Sequence, residues 1–509
     1  PIHRLADADV IVALDSDFLG CGPAHLADVR DFAARRRPDR PMNRLYVAEP
    51  ALTPTGAKAD HRLPLRGTDV AGLARALAAA VRVPGSTAPP AAGVPTRWVD
   101  AVARDLLAHR GRSVVIAGET ASAEVQALAH LMNAALGNAD RTVRYIDPPE
   151  ARSEDLLASL RALVADMDAG RVELLAVLGG DPAFNAPADV PFAEAMTRVP
   201  LRVHLGLHAN DTSALCHWVV PEAHYLEAWS DLRAFDGTAS IVQPLIAPLY
   251  GGKSAHELLT AFGTVPDRSS HDLVRDYWQG RRKGNFDDAW QTWLEAGVVA
   301  DSAPLPRSLL PRTAPPPAAG PPAAALEVVF RPDPMIHDGR FAANVWLQEV
   351  PRPLSHLTWD AVAQLAPVTA NRLGVATGDV VTLALAGRSV RAPVWVAPGH
   401  AEESVTVHFG YGGRGREDGF NAYAIRPADG RWLATGLEVA PTGERRRLAF
   451  TQEHHRMEGR DIVRAWPLEL YRARAAEHRP AEETDHARES LYPEWSYTGY
   501  RWAMAIDLS

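Results

Sequence analysis

The stretch from Glu173 to Ala186, ELLAVLGGDPAFNA, decides the fold of this chain. Its apolar run of strand length, Leu174 to Leu178, ends abruptly at Gly179-Gly180-Asp181-Pro182. This pattern is typical of a buried parallel strand that delivers the chain into a ligand-facing loop. The next apolar run, Leu201 to Leu205, ends in the same way near Asn210-Asp211-Thr212. Two neighbouring strand ends of this kind predict a crevice at one edge of a parallel sheet.

Strands, polar loops and helices alternate along residues 1–302, and this rhythm predicts an α/β fold. The apolar runs Val10 to Leu14 and Ser113 to Ala117 are typical of buried strands, and each precedes a polar loop and a helical pattern. We therefore predict doubly wound parallel-sheet domains, either as one body or as two lobes around 1–95 and 96–302.

The second half of the chain changes character. Residues 303–325 are rich in Pro and Ala and are predicted to be a linker. Residues 326–451 contain apolar and alternating runs between Gly turns, which predicts a β-barrel domain with one helix, Thr358 to Leu373, ending at Gly374. Residues 452–509 are polar and are predicted to be an extended segment.

Composition and charge exclude several classes of function. The chain has 509 residues, of which 47% are apolar and 23% charged, as in an ordinary globular protein. Its formal net charge of -9 disfavours a nucleic acid as partner and leaves room for a basic protein. It has no run of about 20 apolar residues, so we predict no direct membrane span. Two cysteines, Cys21 and Cys216, cannot supply a four-thiolate iron-sulfur cluster or a multi-cysteine zinc site.

No arrangement of residues in the sequence predicts catalysis or metal binding. The chain has no Gly-x-Ser-x-Gly elbow, no Walker loop and no HExxH helix. Carboxylates follow several strands, but each strand-end loop offers one polar group with nothing to pair with for catalysis. Carboxylates at such positions more often cap the next helix. These carboxylates are Asp15, Asp17, Glu119 and Asp181. His204 and His208 straddle a strand end, where a spacing of four does not place them on one face. We therefore predict neither a catalytic residue nor a metal ligand.

Several longer segments together resemble the later domains of the molybdopterin oxidoreductases. They are LLAVLGGDPAFNAPADVPFAEAM at 174–196, WVVPEAHYLEAWSD at 218–231, ADHRLPLRGTDVAGLARAL at 59–77 and LAPVTANRLGVATGDVVTLALAGRSVRAPVWVAPG at 365–399. More narrowly, the chain resembles the large molybdopterin-like and iron-sulfur subunit of the bacterial alternative complex III. The segments specific to that family are ASIVQPLIAPLYGGKSAHELL at 239–259, RPDPMIHDGRFAANVWLQEVP at 331–351 and TQEHHRMEGRDIVRAW at 451–466. The resemblance covers nearly the whole chain.

The resemblance implies a role in electron transport in the respiratory chain. Proteins of this family lie on the periplasmic face of the bacterial inner membrane, as peripheral subunits exported with a twin-arginine signal. Their membrane-associated complex oxidises quinol and passes electrons to cytochrome c or a terminal oxidase. The implied partners are c-type haem subunits, an integral-membrane quinol-binding subunit and a terminal oxidase.

The same resemblance sets expectations for cofactors. The iron-sulfur clusters belong to a ferredoxin-like domain that follows the terminal AIDLS at 505–509, so we expect this chain to be a piece that also begins inside a domain. The molybdopterin-like part of this family is expected to hold no molybdenum cofactor.

Two interpretations of the crevice stay open at this point. A molybdopterin guanine dinucleotide needs backbone amides at strand ends for its diphosphates, and acidic or amide groups for its bases. The residues that can supply them are Gly179, Gly180, Asp181, Asn185, Asp211 and Thr212, together with Asn421, whose segment resembles one that approaches the pterin in active enzymes. On this interpretation the chain is part of an active molybdenum bis-pterin oxidoreductase acting on a small substrate.

The other interpretation is that the same residues serve the turns alone. Turns favour Gly, Asp and Asn for conformational reasons, so the crevice is inherited with the fold and holds no cofactor. The chain is then a cofactor-free structural scaffold for electron transfer that supports the iron-sulfur domain. We favour this second interpretation.

Overall fold

The computed structural model describes residues 1–86, 93–150, 154–282, 284–309, 326–414, 419–429 and 432–452, and of the remainder 459, 466–475, 496, 498–500 and 504. Residues 1–453 form one compact unit and residues 454–509 a second. No helix in these described parts is long and apolar enough to cross a bilayer.

The strands alternate with helices up to residue 296 and dominate from residue 327 to residue 445. The strands are β1 Ile2–His3, β2 Val10–Leu14, β3 Arg44–Glu49, β4 His61–Pro64, β5 Ser113–Ala117, β6 Val143–Arg144, β7 Leu174–Leu178, β8 Leu201–Gly206, β9 Trp218–Pro221, β10 Ser230–Arg233, β11 Ala239–Val242, β12 Glu327–Arg331, β13 Ala363–Leu365, β14 Asp379–Leu385, β15 Arg388–Val396, β16 Ser404–His408, β17 Leu433–Thr435 and β18 Glu438–Arg445. The helices are α1 His25–Ala34, α2 Pro54–Ala57, α3 Val70–Ala80, α4 Thr96–Ala108, α5 Ala123–Ala135, α6 Leu156–Asp168, α7 Pro182–Asn185, α8 Phe192–Thr197, α9 Asp211–Ala214, α10 Ala255–Thr260, α11 Ser270–Gln279, α12 Phe286–Ala296, α13 Val345–Glu349, α14 Pro367–Leu373 and α15 Leu468–Ala475.

The first sheet is parallel and is covered by side chains on both faces. Its strands lie in the order β4-β3-β2-β5, and all neighbours are parallel. Strand β2 is wholly buried, and its side chains alternate between two cores. Val12 packs with residues of α3, α4 and α5, whereas Ile11 packs with Leu5 and with Phe32 of α1. The prediction of a parallel sheet covered by helices is confirmed here.

The second sheet is also parallel but is covered by helices on one face. Its order is β7-β8-β9. Leu175 and Val177 pack against residues of α6 and α8, whereas Leu174 and Leu178 are exposed. The prediction that this strand is buried is therefore wrong for Leu174 and Leu178, because α6 and α8 both lie against the opposite face.

The region after residue 326 is a mixed sheet in the order β17-β12-β16-β13-β15-β14-β18. The pairs β12-β16 and β13-β15 are parallel and the other neighbours antiparallel. Its core includes Phe330 and Phe409, and also Phe184 from α7. The strand-rich character is as predicted, whereas closure into a barrel and the domain boundaries stay predictions.

The predicted helix from Thr358 to Leu373 is wrong over its first half. Residues Ala363–Leu365 form β13, and the helix α14 begins only at Pro367. Proline lacks the N–H that a helix interior needs but fits the first helical position, which explains where α14 starts. Gly374 ends the helix as predicted, with a left-handed φ of 67°. The predicted extended segment 452–509 differs too, because α15 lies within it.

Buried hydrogen bonds join the first sheet to the mixed sheet. The Glu327 side chain is fully buried and accepts hydrogen bonds from the backbone N–H groups of Gly67 and Thr68, at 2.7 and 3.0 Å, and from the Thr68 hydroxyl at 2.8 Å. The Ala401 N–H also donates to the Pro50 carbonyl at 2.7 Å. A buried carboxylate with three donors is well satisfied, so this junction is rigid.

Candidate functional site

Two consecutive glycines form the loop that follows β7. Gly179 and Gly180 have left-handed φ values of 68° and 72°, which residues other than glycine rarely adopt. The Gly179 N–H donates to the Leu205 carbonyl at 2.7 Å, which fixes this loop beside the end of β8. The two glycines are therefore required by the path of the backbone, whether or not a ligand is bound.

Direct hydrogen bonds tie the loop after β7 to the loop after β8. The Gly180 carbonyl accepts a hydrogen bond from Asn210 Nδ2 at 3.0 Å. Asp181 Oδ1 accepts from both the backbone N–H and the hydroxyl of Thr212, at 2.8 and 2.7 Å. The two strand ends therefore lie side by side, and the structure brings together four of the predicted residues: Gly179, Gly180, Asp181 and Thr212.

The backbone amides of these loops are used inside the protein. The Thr212 N–H is bonded to Asp181, and the Ala183 N–H donates to the Thr212 hydroxyl at 3.0 Å. The Phe184 and Asn185 N–H groups both donate to the Asp181 carbonyl, at 3.0 and 2.9 Å. Amides engaged in this way are not available to a diphosphate unless the loops open.

A loop of the mixed sheet packs against the crevice from the other side. Asp211 Oδ2 accepts a hydrogen bond from the Arg414 backbone N–H at 3.0 Å. A Cβ on Gly413 would lie 3.1 Å from the Phe184 ring and 3.3 Å from Asp211 Oδ2, so a larger residue here would require these neighbours to shift by a few tenths of an ångström. Asn421 caps the short 3-10 helix that follows it, since its Oδ1 accepts from the Tyr423 N–H at 2.9 Å.

Aromatic packing holds α7 against the mixed sheet. The Phe184 ring meets the Tyr423 ring edge to face at 5.3 Å, and Tyr423 stacks on Phe409 at 4.3 Å. The Arg426 guanidinium lies 4.7 Å from the Tyr423 ring centre and donates to the Asn185 carbonyl at 2.8 Å. Asn185 therefore contacts the protein itself through its backbone. Such stacking of rings and a cation adds to the apolar burial at this junction.

Two polar atoms beside the glycine loop lack a well-formed hydrogen bond within the described residues. They are Asp181 Oδ2 and His204 Nδ1, and both are buried. Burial raises the pKa of Asp181 and outweighs the opposing hydrogen bonds from Thr212, and burial likewise lowers the pKa of His204. In addition, nothing lies within 4 Å of the position that a Cβ on Gly180 would take. These two unsatisfied atoms and the open position at Gly180 are the features of the described crevice that suit a ligand.

The end of the first sheet carries a separate set of carboxylates. Asp15, directly after β2, pairs with Arg331 Nη2 at 2.5 Å, and burial raises the pKa of Asp15 despite this cation. Asp17 Oδ1 accepts from the backbone N–H and hydroxyl of Thr55, at 3.0 and 2.8 Å. Asp15 and Asp17 of the predicted set thus serve structural contacts, and Asp17 binds α2 rather than capping the helix that follows it.

Sequence reasoning missed a buried network in the mixed-sheet region. Arg352 donates through Nε and Nη2 to Asp333 Oδ2, at 3.0 and 2.9 Å, and the Tyr411 hydroxyl donates to the same oxygen at 3.1 Å. Burial alone would raise the pKa of Asp333, but the Arg352 charge acting together with the hydrogen bonds from the Met335 and Ile336 N–H groups outweighs it, so this pKa is lowered. Tyr411 directly precedes the loop that carries Gly413 and Arg414, so the network anchors that loop. No spacing in the sequence connects positions 333, 352 and 411.

The residues do not fit a pterin guanine dinucleotide in this arrangement. A diphosphate needs free amides or cations, whereas the N–H groups of Ala183, Phe184, Asn185 and Thr212 are bonded within the protein, and the loops also carry the carboxylates of Asp181 and Asp211. Arg331, at the end of β12, is paired with Asp15. Two cavities of the described residues lie elsewhere: one of about 610 Å³ borders His256 and Tyr277, and one of about 160 Å³ borders Arg44 and His109. Within the described residues, no group of three or more His, Cys, Asp or Glu side chains has a metal-binding arrangement.

Comparison with known proteins supports the fold. No protein-family model and no curated protein matches the chain. Among solved structures, the chain is similar to acetylene hydratase from Pelobacter acetylenicus, with a TM-score of 0.63 and 13% sequence identity over 84% of this chain and 75% of that one. At this identity the likeness shows the fold alone. The predicted molybdopterin oxidoreductase-like fold fits this likeness, whereas the narrower resemblance to the subunit of alternative complex III stays a prediction.

Proposed function

We propose that this chain is a cofactor-free scaffold in a respiratory quinol:cytochrome c or quinol:oxidase oxidoreductase complex, where it supports the iron-sulfur domain. The observation that carries the proposal is the contact of Asp211 with the Arg414 N–H, together with Phe184 against Gly413. These contacts fill the junction between the crevice loops and the mixed sheet with the protein's own groups. The family-specific segments at 239–259, 331–351 and 451–466 support the assignment to alternative complex III.

The physical basis of a scaffold role is rigidity. Electron transfer depends on fixed distances between cofactors, and a body that holds other subunits must not deform. The buried Glu327 bonds and the Asp333, Arg352 and Tyr411 network give residues 1–453 such internal ties. The proposed site of action is the periplasmic face of the inner membrane, beside c-type haem subunits, a quinol-binding membrane subunit and a terminal oxidase.

One observation favours the alternative of an active molybdenum bis-pterin enzyme. Asp181 Oδ2 and His204 Nδ1 are buried polar atoms without well-formed partners, and the space beside Gly180 is open. Such atoms are costly unless something binds them, and a water molecule or a pterin edge would satisfy them. A single water molecule requires less rearrangement than a pterin, because it leaves every contact between the loops intact.

Metal and pterin analysis of the purified chain separates these two functions. We expect molybdenum and tungsten, measured by mass spectrometry of the elements, and fluorescent pterin, measured after acid oxidation, to be far below one per chain. A pterin-containing enzyme carried through the same purification shows that the cofactor survives the procedure. Near-stoichiometric metal and pterin together would overturn the scaffold proposal.

Association with a membrane complex is a separate test. Tagged chain isolated from membranes of its own host should bring down c-type haem polypeptides, detected by haem staining, together with quinol-oxidising activity. Isolation of the chain without any haem polypeptide, under conditions that preserve other respiratory complexes, would contradict the assignment to this complex.

A further inference from the structure

The first sheet has arginine-rich chain segments at the edge where its strands begin. Val10 of β2 lies opposite Arg44 of β3 and Ser113 of β5, so the chain enters these three strands at one edge. Residues 35–44 lead from α1 into β3, and residues 109–112 lead from α4 into β5. These two segments, called here the basic edge, contain seven arginines and one aspartate.

The basic edge is positively charged although the whole chain is acidic. Seven arginines and one aspartate give it a formal net charge of +6, and three carboxylates that pair with its arginines from outside the two segments reduce this to +3. These carboxylates are Asp9, Asp60 and Asp105. Because the whole chain has a net charge of -9, the basic edge is a local exception that attracts anions.

Ion pairs within the chain orient two of these arginines. The Asp9 carboxylate lies between Arg35 and Arg112, with its two oxygens 2.7 and 2.6 Å from their Nη2 atoms. Arg44 Nη1 donates to Asp105 Oδ2 at 2.8 Å. A guanidinium has five N–H groups, so these bonds position the side chains and leave further donors for a ligand. The Arg44 and Arg112 side chains are 50% and 67% exposed, so a ligand can reach them.

The cavity of about 160 Å³ lies at the basic edge and is bordered by both Arg44 and Arg112. His109 borders it too, with Nδ1 held 2.8 Å from the Asp105 carbonyl oxygen. Asp9 also borders it, but both of its carboxylate oxygens are engaged by arginines. A cavity of about 150 Å³ holds a molecule the size of benzene, so this one has room for an Asp or Glu side chain.

We propose that the basic edge is the docking site for an acidic segment of a partner protein, with one Asp or Glu carboxylate of that segment in the cavity. Arginine presents paired N–H groups that match the two oxygens of a carboxylate. Further carboxylates of the segment reach Arg37 and Arg40, whose side chains are 62% and 66% exposed.

An anionic membrane and a nucleic acid are poorer occupants than an acidic protein segment. Membrane-surface segments combine basic groups with apolar side chains that enter the lipid. Residues 35–44 and 109–112, all of which the structure describes, expose no large apolar side chain. A long nucleic acid would meet the negative charge of the rest of the chain, whereas salt confines the charges that a short segment meets to those within about 10 Å.

The inference goes beyond the proposed function and does not depend on the crevice. The basic edge lies where strands of the first sheet begin, whereas the glycine loop and Asp181 follow β7 of the second sheet. A pterin found in the chain would therefore overturn the scaffold proposal without affecting the docking site. A failure of docking would leave the metal and pterin result unchanged.

Binding of a hexaglutamate peptide to the full chain tests the docking site. The fluorescein-labelled peptide is titrated with the chain at an ionic strength of about 20 mM, and its fluorescence anisotropy is measured. We expect saturable binding that a hexaglutamine peptide does not show. The double substitution Arg44→Gln and Arg112→Gln should weaken the affinity at least about tenfold, because it removes both positive charges beside the cavity.

A matched control removes the same charge from another surface. Arg388 and Arg391 are exposed on β15, so Arg388→Gln with Arg391→Gln should leave the affinity nearly unchanged. If the first variant melts at a lower temperature than the parent, Arg37→Gln with Arg40→Gln takes its place, with the same expected loss of affinity.

Two further titrations separate other anions from a protein carboxylate. Vesicles of equal parts phosphatidylglycerol and phosphatidylcholine should capture the parent chain and the Arg44 and Arg112 variant equally. Inorganic phosphate at the concentration of the peptide should not displace the peptide. Absence of peptide binding, an equal loss in the Arg388 and Arg391 control, vesicle capture that is lost in the Arg44 and Arg112 variant, or displacement by phosphate would each overturn the proposal.

Discussion

The two parallel sheets of this protein are built from similar strands but are stabilised differently. In the first sheet, both faces of β2 are buried, and the neighbouring mixed sheet is fastened to it through buried Glu327. In the second sheet, one face of β7 packs on helices and the other meets solvent, and the crevice loops are held largely by hydrogen bonds between loops. The comparison shows that an apolar run in the sequence predicts a strand of a sheet, but not which elements cover the faces of that sheet.

The two sheets are expected to differ most in the stability that is lost when a glycine after a strand is replaced by alanine. The two glycines are Gly118 in the first sheet and Gly180 in the second. A Cβ on Gly118, after β5, would lie 1.7 Å from the Asp15 carbonyl oxygen, which is backbone and cannot move aside. Gly118→Ala should therefore cost at least about 4 kcal/mol of unfolding free energy. Gly180→Ala meets open space and should cost about 1 to 2 kcal/mol, from its left-handed φ alone.

Urea unfolding followed by tryptophan fluorescence measures both glycine variants. Gly436→Ala, at another left-handed glycine with no atom within 4 Å, is a control for the backbone cost. Equal losses at Gly118 and Gly180 would show that the loop after β7 is as crowded as the end of the first sheet.

The next effect concerns the junction of the first sheet with the mixed sheet. Glu327→Ala leaves the N–H groups of Gly67 and Thr68 buried without their acceptor, and we expect a loss of about 4 kcal/mol in unfolding free energy. Glu438→Ala, at an exposed carboxylate on β18, should change the same quantity little. A loss at Glu327 no greater than at Glu438 would show that these bonds do not hold the junction.

A matched pair of leucines compares the coverage of the two sheets directly. Leu14 and Leu178 each end a strand, but Leu14 is fully buried whereas Leu178 is 40% exposed. Leu14→Ala should cost about 3 kcal/mol in the isolated chain, and Leu178→Ala less than about 1 kcal/mol. Equal costs, measured by the same urea unfolding, would mean that the exposed side of β7 is as well packed as the buried side of β2.

The sequence predicts the strands well because burial leaves a simple pattern. The apolar runs at Val10 to Leu14, Ser113 to Ala117 and Leu174 to Leu178 coincide with β2, β5 and β7. The same run of apolar residues does not reveal that one face of β7 is exposed, since the outward leucines are as apolar as the inward ones. Periodicity reports how side chains alternate, not what they meet.

The candidate site is predictable only in part, for a similar reason. Gly180, Asp181 and Thr212 lie together because parallel strands end at the same edge of a sheet. The closing contact of Asp211 with the Arg414 N–H joins positions about 200 residues apart, and no local pattern encodes it. The helix predicted before Pro367 failed because its apolar residues suit a short buried strand equally well.

The last expected effect, of about 2 kcal/mol, is a dependence of stability on pH at the junction of the first sheet with the mixed sheet. His400 is buried, with Nδ1 2.9 Å from the Ala401 carbonyl and Nε2 2.9 Å from the Thr406 hydroxyl. Burial lowers its pKa from 6.5 to about 4. In the unfolded chain, His400 therefore binds a proton below about pH 6.5, whereas in the folded chain it does so only below about pH 4. The free energy of unfolding consequently falls as the pH is lowered from about 6.5 to about 4.

Between about pH 7.5 and pH 5, His400 should account for a loss of about 2 kcal/mol in unfolding free energy, and His400→Gln should remove that part of the pH dependence. His337→Gln is the control, because the His337 side chain is 53% exposed. In the second sheet His204 also has a lowered pKa through burial, so His204→Gln should change the pH dependence in the same direction.

Because Ala401 bonds to Pro50, acid should expose the amides of β3 and β4 to hydrogen exchange before those of β7 and β8. Faster exchange in β7 and β8 at low pH would instead place the acid-sensitive junction at the crevice.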